Sequence, residues 1–397
     1  MEMLELVETV NAEKASIDKL FGKEGAGVRS RKKTPQYMSQ LAEAARLIAD
    51  VYNGRKPAYI LQEAMTTSDF PYLFGDVIDR QILAAYQEWP TTWQRYTKRG
   101  RVRDFRTVKR FTVYGADQVL PSALSTNSGE YPYEEINENS PYSYAVSKYG
   151  RKIRFRWETM INDDLDALKD MPERLGRAAR RSEEKFVTAL FIDANGPHAS
   201  FYTSGNKNIV NTTNGASATN PALSISALQD AFKVLSKMVD ENGEPIVIDT
   251  VELVVPPALE VTAYNIQNAV QLWLDTNASA GTAQQNLVTT NWMKARLNIN
   301  VNPYIPIVAS SANGNTSWAL FANPNNGRPA MELGFLIGHE QPEIFMKAAN
   351  QIALGGGAAD AMNGDFDNDS IEYKLRHVFG GTRMDPKMTV ASNGSGS

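Results

Sequence analysis

Lys152-Ile153-Arg154-Phe155-Arg156-Trp157 is the stretch on which the reading of the fold turns. Apolar and basic side chains alternate strictly, which is the period of a strand with one covered face and one wet face. Upstream, Val102, Phe105, Val108, Phe111 and Val113 mark a second β-prone run. Between the two runs lies a long polar excursion rich in Pro, Ser, Asn, Glu and Tyr, including Pro121, Gly129, Pro132 and Pro141. The simplest arrangement is two antiparallel strands joined by a long loop at the tip. Loops of that length are uncommon in compact domains and are usually functional or disordered.

The charges divide the same way. Residues 95–110 hold Arg95, Lys98, Arg99, Arg101, Arg103, Arg106, Lys109 and Arg110 against one acid, Asp104, and the return run adds Lys148, Arg151, Lys152, Arg154 and Arg156. The excursion 116–147 carries Asp117, Glu130, Glu134, Glu135 and Glu138 with no base. A basic stem and an acidic tip are far apart within one chain but match between neighbouring copies. The inter-subunit candidates are therefore the tip acids Glu130, Glu134, Glu135 and Glu138. Facing them would be the stem bases Arg103, Arg106, Lys109, Arg110, Arg151, Lys152, Arg154 and Arg156. The competing reading is a solvated ribbon whose charges are incidental.

Downstream, 162–194 reads as a long helix. Asn162, Asp163 and Asp164 offer cap chemistry, and Asp170 with Pro172 allows a kink or restart. Leu175, Ala178, Ala179, Ser182, Phe186, Ala189, Leu190 and Asp193 follow a helical period. Gly196-Pro197 stops it, and the Gly/Asn/Ser/Thr-rich stretch 203–220 reads as exposed loop. A helix is expected over 224–240, a strand over Ile246–Val255, and a helix carrying Leu259, Ala263, Ile266, Ala269, Val270 and Leu274. Shorter strands are expected at 296–301, 305–309, 317–322 and 331–337. Strand character returns at 342–347 and 370–379, and the small polar tail 393–397 reads as mobile.

Upstream of the excursion, 69–99 reads as helical, with Trp89-Pro90 as its stop. Residues 1–58 form a polar, helix-prone arm. Its two amphipathic stretches are Leu4 to Leu20 and Gln36 to Val51, the latter with Leu41, Ala44, Ala45 and Ile48 on one face. Gly22, Gly25, Gly27 and the bases Arg29, Arg31, Lys32 and Lys33 separate them. The arm is either a flexible tail or a segment that folds against neighbours.

With 397 residues and 42% hydrophobic content the chain can bury a real core, which excludes a disordered or collagen-like protein. A net charge of −4 gives no global basic excess for nucleic acid. No apolar run is long enough to span a membrane, and the acidic start lacks the order of a signal peptide. The absence of Cys fits a cytosolic origin and removes thiolate nucleophiles, disulfides and Cys-ligated metal. His198, His339 and His377 are the only histidines and lie far apart, so His-based catalysis starts from weak ground. His377 alternates into a strand and reads as structural.

No catalytic, cofactor or metal site emerges. The glycines near residue 25 and Gly355-Gly356-Gly357 do not make a phosphate loop. Asp365-Phe366-Asp367-Asn368-Asp369 opens like a calcium loop, but Ser370 replaces its glycine and Arg376 its bidentate Glu, so a capped turn is the better reading. The pairs Asp163/Asp164 and Glu183/Glu184, with Arg nearby, read as caps and solvated faces rather than acid/base pairs.

The order of parts resembles the major capsid protein of tailed double-stranded-DNA bacteriophages, an α+β, Hong Kong 97-like fold. Leu253-Val254-Val255-Pro256-Pro257-Ala258-Leu259, Gly338-His339-Glu340-Gln341-Pro342-Glu343-Ile344 and Tyr373-Lys374-Leu375-Arg376-His377-Val378-Phe379-Gly380-Gly381 are similar to segments of that family. The resemblance covers about 58–390. It implies an N-terminal arm at 1–58 and an E-loop hairpin at 100–158. It implies a peripheral domain with a long spine helix from 59–99, 159–220 and 340–397 (the last with the C-terminal tail), and an axial domain at 221–339. It further implies self-assembly into hexamers and pentamers of an icosahedral shell, in the host cytoplasm and then the virion. Scaffolding, portal and decoration proteins would be partners, with non-specific contact to packaged DNA and no membrane, cofactor or enzymatic role. Some members cross-link an E-loop Lys to a neighbour's Asn; here Lys148 or Lys152 with Asn363 or Asn368 are the candidates, and a tip without Lys argues against it. The short arm from Met1 argues against a large cleaved scaffold segment. An encapsulin-like shell of the same fold, holding cargo enzymes, is the alternative.

Overall fold

The structure is a computed structural model that describes residues 35–52, 55–56, 60, 83–87, 90–111, 113–114, 137–138, 142–156, 165–241, 243–275, 286–310, 312–347, 367 and 370–396. In chain order the elements begin with α1 (Pro35–Tyr52), β1 (Lys98–Val102), β2 (Val108–Arg110), β3 (Val113–Tyr114), β4 (Asn137–Glu138), β5 (Tyr142–Tyr144), β6 (Ser147–Arg156) and α2 (Leu165–Phe191). They continue with β7 (Ile192–Asp193), β8 (Gly196–Pro197), α3 (Ile225–Ser236), β9 (Val251–Val255), α4 (Glu260–Asn268), β10 (Gln271–Asp275), β11 (Asn286–Thr290), β12 (Leu297–Val301) and α5 (Ile305–Val308). The last are β13 (Trp318–Ala322), β14 (Met331–Leu336), β15 (Glu343–Met346), β16 (Ser370–Arg383) and β17 (Thr389–Ser392). The chain divides into two compact units: 1–90, 147–182 and 338–378 form the first, and 91–146, 183–337 and 379–397 the second. Helices with mostly antiparallel strands make it α+β, as expected.

In the first unit, α1 forms because four alanines favour helix and Pro35 stands at its opening, where its missing N–H is not needed. Leu41, Ala44, Ala45 and Ala49 lie on one face and are buried, so this stretch of the arm covers its apolar face within its own chain. The other expected arm helix lies outside the described residues. β15 pairs antiparallel with β16, Glu343 opposite Arg376 and Met346 opposite Tyr373. β6 pairs with β16 too. Gly150 permits that approach, since a Cβ there would stand 2.3 Å from the Leu375 carbonyl oxygen. Residues 83–87 are helical, with Ala85 and Tyr86 buried. Arg180 Nε donates to the Tyr86 carbonyl at 2.6 Å, and its guanidinium lies 3.6 Å from the Tyr86 ring centre. The same ring meets buried His377 edge-on at 5.9 Å, in keeping with a structural histidine.

The long helix α2 runs unbroken through Pro172 for 27 residues, roughly 40 Å at 1.5 Å per residue. Its inward face differs from the expected one. Leu175, Ala179, Glu183, Glu184, Val187, Thr188 and Phe191 are buried, whereas Ala178, Ser182 and Ala189 are exposed. Two glutamates on the covered stripe disguised it, and the Glu183/Glu184 pair is corrected from a solvated face to an interior one. Asp163 and Asp164 lie outside the described residues.

The second unit is built on a four-stranded sheet, ordered β12-β9-β13-β17. β12 runs parallel to β9, and β13 is antiparallel to both of its neighbours. Both faces are covered, which explains the continuous apolar runs. Leu253, Val255, Trp318, Leu320 and Val390 pack with α3 and α4 on one side. Val254, Ala319, Phe321 and Ala391 pack on the other with the end of α2. There Phe191 meets Tyr96 at 5.7 Å and Phe321 at 5.2 Å, both edge-on. A second group of strands belongs to the same unit. β1 runs parallel to β14, and β14 pairs antiparallel with β16 from Met331 opposite Arg383 to Phe335 opposite Phe379.

Other local expectations are corrected. The strand starts at Val251, not Ile246: the carbonyls of Ile248 and Asp249 go to the Arg296 guanidinium instead of a neighbouring strand. Ile305–Val308 is a helical turn, not a strand, because Pro306 in its first turn fixes a helical φ where β-branched neighbours suggested extension. The helix after Pro257 ends at Asn268, and Leu274 lies in the β10–β11 hairpin. Residues 203–220 are not simply exposed. Asn208 and Val210 are fully buried, and the Asn208 amide holds the loop: its Oδ1 accepts from Thr203 N at 3.0 Å while Nδ2 donates to the Phe201 and Pro386 carbonyls. The tail is tied down too, by Thr316 Oγ1 on the Asn393 carbonyl at 2.7 Å and Gly396 N on the Asn220 carbonyl at 2.8 Å.

Candidate functional site

Where it is described, the excursion pairs its two sides antiparallel. Val108–Arg110 pairs with Tyr142–Tyr144, and Val113–Tyr114 with Asn137–Glu138. The hairpin is thus present, but its root differs from the simple two-strand picture. β1 and β6 do not pair with each other: β1 lies along β14, and β6 along β16. The expected stem bases consequently fall into both units, with Arg103, Arg106, Lys109 and Arg110 in the second and Arg151, Lys152, Arg154 and Arg156 in the first.

Arg110 is committed within its own unit. Its Nε donates to Glu332 Oε1 at 3.0 Å, and Nη2 donates to the Arg101 carbonyl at 3.3 Å. The Tyr144 hydroxyl donates to the same Glu332 oxygen at 2.5 Å. Glu332 is only 2% exposed, so it is a buried carboxylate held by one guanidinium and one phenol. Burial works against the Arg110 cation, but Glu332 outweighs it and leaves the Arg110 pKa above its ordinary value. Burial, then the bond to Glu332, pushes the Tyr144 hydroxyl up as well. Glycines make room: a Cβ on Gly100 would meet Glu332 Oε1 at 2.1 Å, and one on Gly334 would meet Tyr144 Oη at 2.4 Å. Sequence reasoning missed Glu332, although the signal was there. It is the lone acid in Met331-Glu332-Leu333-Gly334-Phe335-Leu336, a strand buried at every position, and such an acid needs a partner.

In the first unit, Arg154 Nη2 and Nε donate to Glu372 Oε1 at 2.7 and 3.0 Å. That bond leads in lowering the Glu372 pKa. Arg106 has Asp104 at 4.0 Å, both exposed. Arg103, Lys109 and Arg151 are exposed and have no ion-pair partner among the described residues. Lys152 is exposed on β6. Arg156 and Glu138 are described as strand backbone only, and Glu130, Glu134 and Glu135 lie outside the described residues. So do the expected Gly355–Gly357 turn and most of 365–369. Among the described residues there is no cluster of His, Asp and Glu that could hold a metal, and no helix long and apolar enough to cross a membrane.

The interior of the second unit holds a polar network. Glu184 accepts from Thr92 N at 3.1 Å and from the Thr92 hydroxyl. Asn300 donates to the Thr92 carbonyl at 2.8 Å, and Asn302 donates to Thr188 Oγ1 at 2.9 Å and Tyr96 Oη at 3.2 Å. Burial lifts the Glu184 pKa above the ordinary carboxylate value, although the bonds from Thr92 pull the other way. These groups face packed protein and hold the segment before β1 to α2 and β12. They constitute a structural anchor rather than a reaction centre.

The profile of the family described as phage capsid protein matches residues 140–392, more than half of the chain. The chain belongs to that family. As a phage capsid protein it is a structural subunit that acts in many copies of itself, and the resemblance to phage capsid proteins read from its order of parts holds. Three solved structures illustrate the likeness. A chain from Microbacterium phage Oxtober96 is 10% identical, with 74% of this chain and 84% of that chain covered and a TM-score of 0.39. The virus-like particle from Pyrococcus furiosus is 9% identical over 80% and 99%, with a TM-score of 0.41. The Cyanophage Pam1 capsid asymmetric unit is 8% identical over 76% and 89%, with a TM-score of 0.41. No curated protein matches the chain. The family assignment rests on the profile match alone.

Proposed function

We propose that this capsid protein is the major shell subunit of a tailed double-stranded-DNA phage, closing as hexamers and pentamers into an icosahedral capsid. Assembly takes place in the host cytoplasm with scaffolding and portal proteins, and decoration proteins and non-specific contact with packaged DNA follow in the virion. In this reading 100–158 is the E-loop, 221–339 the axial domain, 1–58 the arm, and 59–99, 159–220 and 340–397 the peripheral domain. The ribbon works between copies. Its acidic tip, Glu130, Glu134, Glu135 and Glu138, lies against the bases at a neighbour's stem. The observation that carries this is the set Arg103, Lys109 and Arg151: exposed cations without an ion-pair partner among the described residues. Arg110 and Arg154, by contrast, hold their own chain's carboxylates. The profile match to a phage family favours a genome shell over a cargo-holding one.

The test is the double variant Glu134→Lys/Glu135→Lys, assembled beside the parent and imaged by electron microscopy. The expected result is a folded subunit that makes few or no closed shells. Shells of normal number and size from the variant overturn the tip-to-stem pairing. A parent chain that sediments only as a 43.9 kDa species at every concentration overturns the shell reading itself.

A further inference from the structure

We propose that copies of this chain also join head to tail through the second unit, the exposed ridge of α4 seating in a neighbouring copy's groove beside Trp292. This rests on the shell-forming reading above and names two faces that meet in it.

The groove is a cavity of about 530 Å³ between α3, residues 245–251 and the turn Trp292–Ala295 with its cap residue Arg296. Its floor is apolar, made by Phe232, Leu235, Ile246 and Val251. Trp292 stands edge-on to Phe232 at 5.2 Å yet remains 41% exposed, and Val247 at the mouth is 74% exposed. Arg296 is fixed at the rim. Its Nε donates to the Asp249 carbonyl at 2.9 Å, its Nη2 donates to the Ile248 carbonyl, and its guanidinium carbon lies 5.8 Å from the Phe232 ring centre. Its bonds go to main-chain oxygens, and no carboxylate among the described residues pairs with it. The opening therefore presents an oily floor beside the immobilised Arg296, while the other cation of its lining, Lys233, is paired with Asp230 at 3.0 Å.

The ridge has the opposite character. Ala263 and Ile266 of α4 are buried, which turns Val261 and Tyr264 outward. These two are one turn apart and lie together on the exposed face, 70% and 42% exposed. Glu260, one turn before Tyr264, is exposed and has no ion-pair partner among the described residues. A solvated helix face is ordinarily polar; this one exposes Val261 and Tyr264 beside the acid Glu260, with the neutral Thr262, Asn265 and Asn268 around them. Apolar surface meets apolar surface, and Glu260 meets the Arg296 that lacks a carboxylate. An interface between two different patches of identical copies is heterologous, and it closes into a ring when the rotation between copies closes.

The chain has no Cys, so an introduced pair reports contact without background. Val247→Cys and Tyr264→Cys are made singly and together in the full chain, and assembled particles are oxidised and run on a denaturing, non-reducing gel. The expected result is a ladder of linked copies from the double variant alone. Dimers from either single variant show like patches meeting and overturn the proposal. An unlinked double variant whose particles are visible in the microscope overturns it while leaving the shell reading intact. Failure of the parent to assemble overturns both. As a second readout, Glu260→Arg should lower the assembled fraction about tenfold in sedimentation, corresponding to about 1.4 kcal/mol. Assembly equal to the parent counts against the ridge.

Discussion

The Tyr144 hydroxyl donates to Glu332 Oε1 at 2.5 Å, joining residues 188 positions apart in the chain. The bond ties the ribbon strand β5 to the β14 strand of the same unit, which β5 does not pair with. Tyr144→Phe removes one of two donors to a buried carboxylate. A bond to a charged group is worth about 1.5–3 kcal/mol, and the urea midpoint of the variant should fall accordingly. Gly334→Ala should fall further, because the new Cβ would occupy the place of the Tyr144 Oη. A Y144F midpoint equal to the parent's would show that Arg110 alone holds Glu332.

Glu184 makes stability depend on pH. Burial raises its native pKa, so the folded chain holds that proton more tightly than the unfolded chain does. The stability this confers is complete below the unfolded carboxylate value and is lost as pH rises through the native value. Glu184→Gln keeps an acceptor for Thr92 and abolishes the titration. Urea midpoints taken from about pH 4 upward should therefore decline less in the variant than in the parent. Parallel profiles would assign the buried proton elsewhere.

Asn208→Ala removes the amide that holds 203–220. Thr203 N and the Pro386 carbonyl lose this partner, while the Phe201 carbonyl keeps the Asn206 amide at 2.9 Å. Uncompensated buried polar groups cost about 1–3 kcal/mol each. The expected outcome is a lower thermal midpoint together with new protease cleavage within 203–220. Cleavage unchanged from the parent would mean that the loop is held by its other bonds.

Phe191→Ala opens the aromatic cluster with Tyr96 and Phe321. Phe191 is fully buried, and such truncations cost about 3–5 kcal/mol. Surface substitution at exposed Ala189 on the same helix, to Ser, should stay within about 0.5 kcal/mol. Chemical denaturation of the two variants side by side measures the contrast, and equal losses would contradict the assigned inward face of α2.

Salt should weaken assembly more than folding. The proposed tip-to-stem contacts join exposed charges, and the screening length falls from about 10 Å at 0.1 M to about 3 Å at 1 M. The assembled fraction in sedimentation should drop across that range while the far-ultraviolet circular dichroism stays constant. Assembly that is insensitive to salt would assign the contact to apolar surface instead.

What the sequence determined by itself is whatever a short window can hold. The alternation around Ile153 foretold β6, the apolar run ending at Val255 foretold a strand though not its start at Val251, and the spacing from Leu175 foretold a long helix, because backbone periods are set by adjacent residues. The order of those parts was enough to place the chain among phage capsid proteins. The tertiary structure alone decided which charges are free. Glu184 reads like any helical glutamate until Thr92 closes over it. Arg110 reads like its neighbour Lys109 until Glu332 arrives from 222 residues away. Asn208 reads as loop polarity until the carbonyls of Phe201 and Pro386 claim its amide. The state of a polar group depends on what displaces water from it, and that covering comes from distant segments whose approach no local pattern encodes.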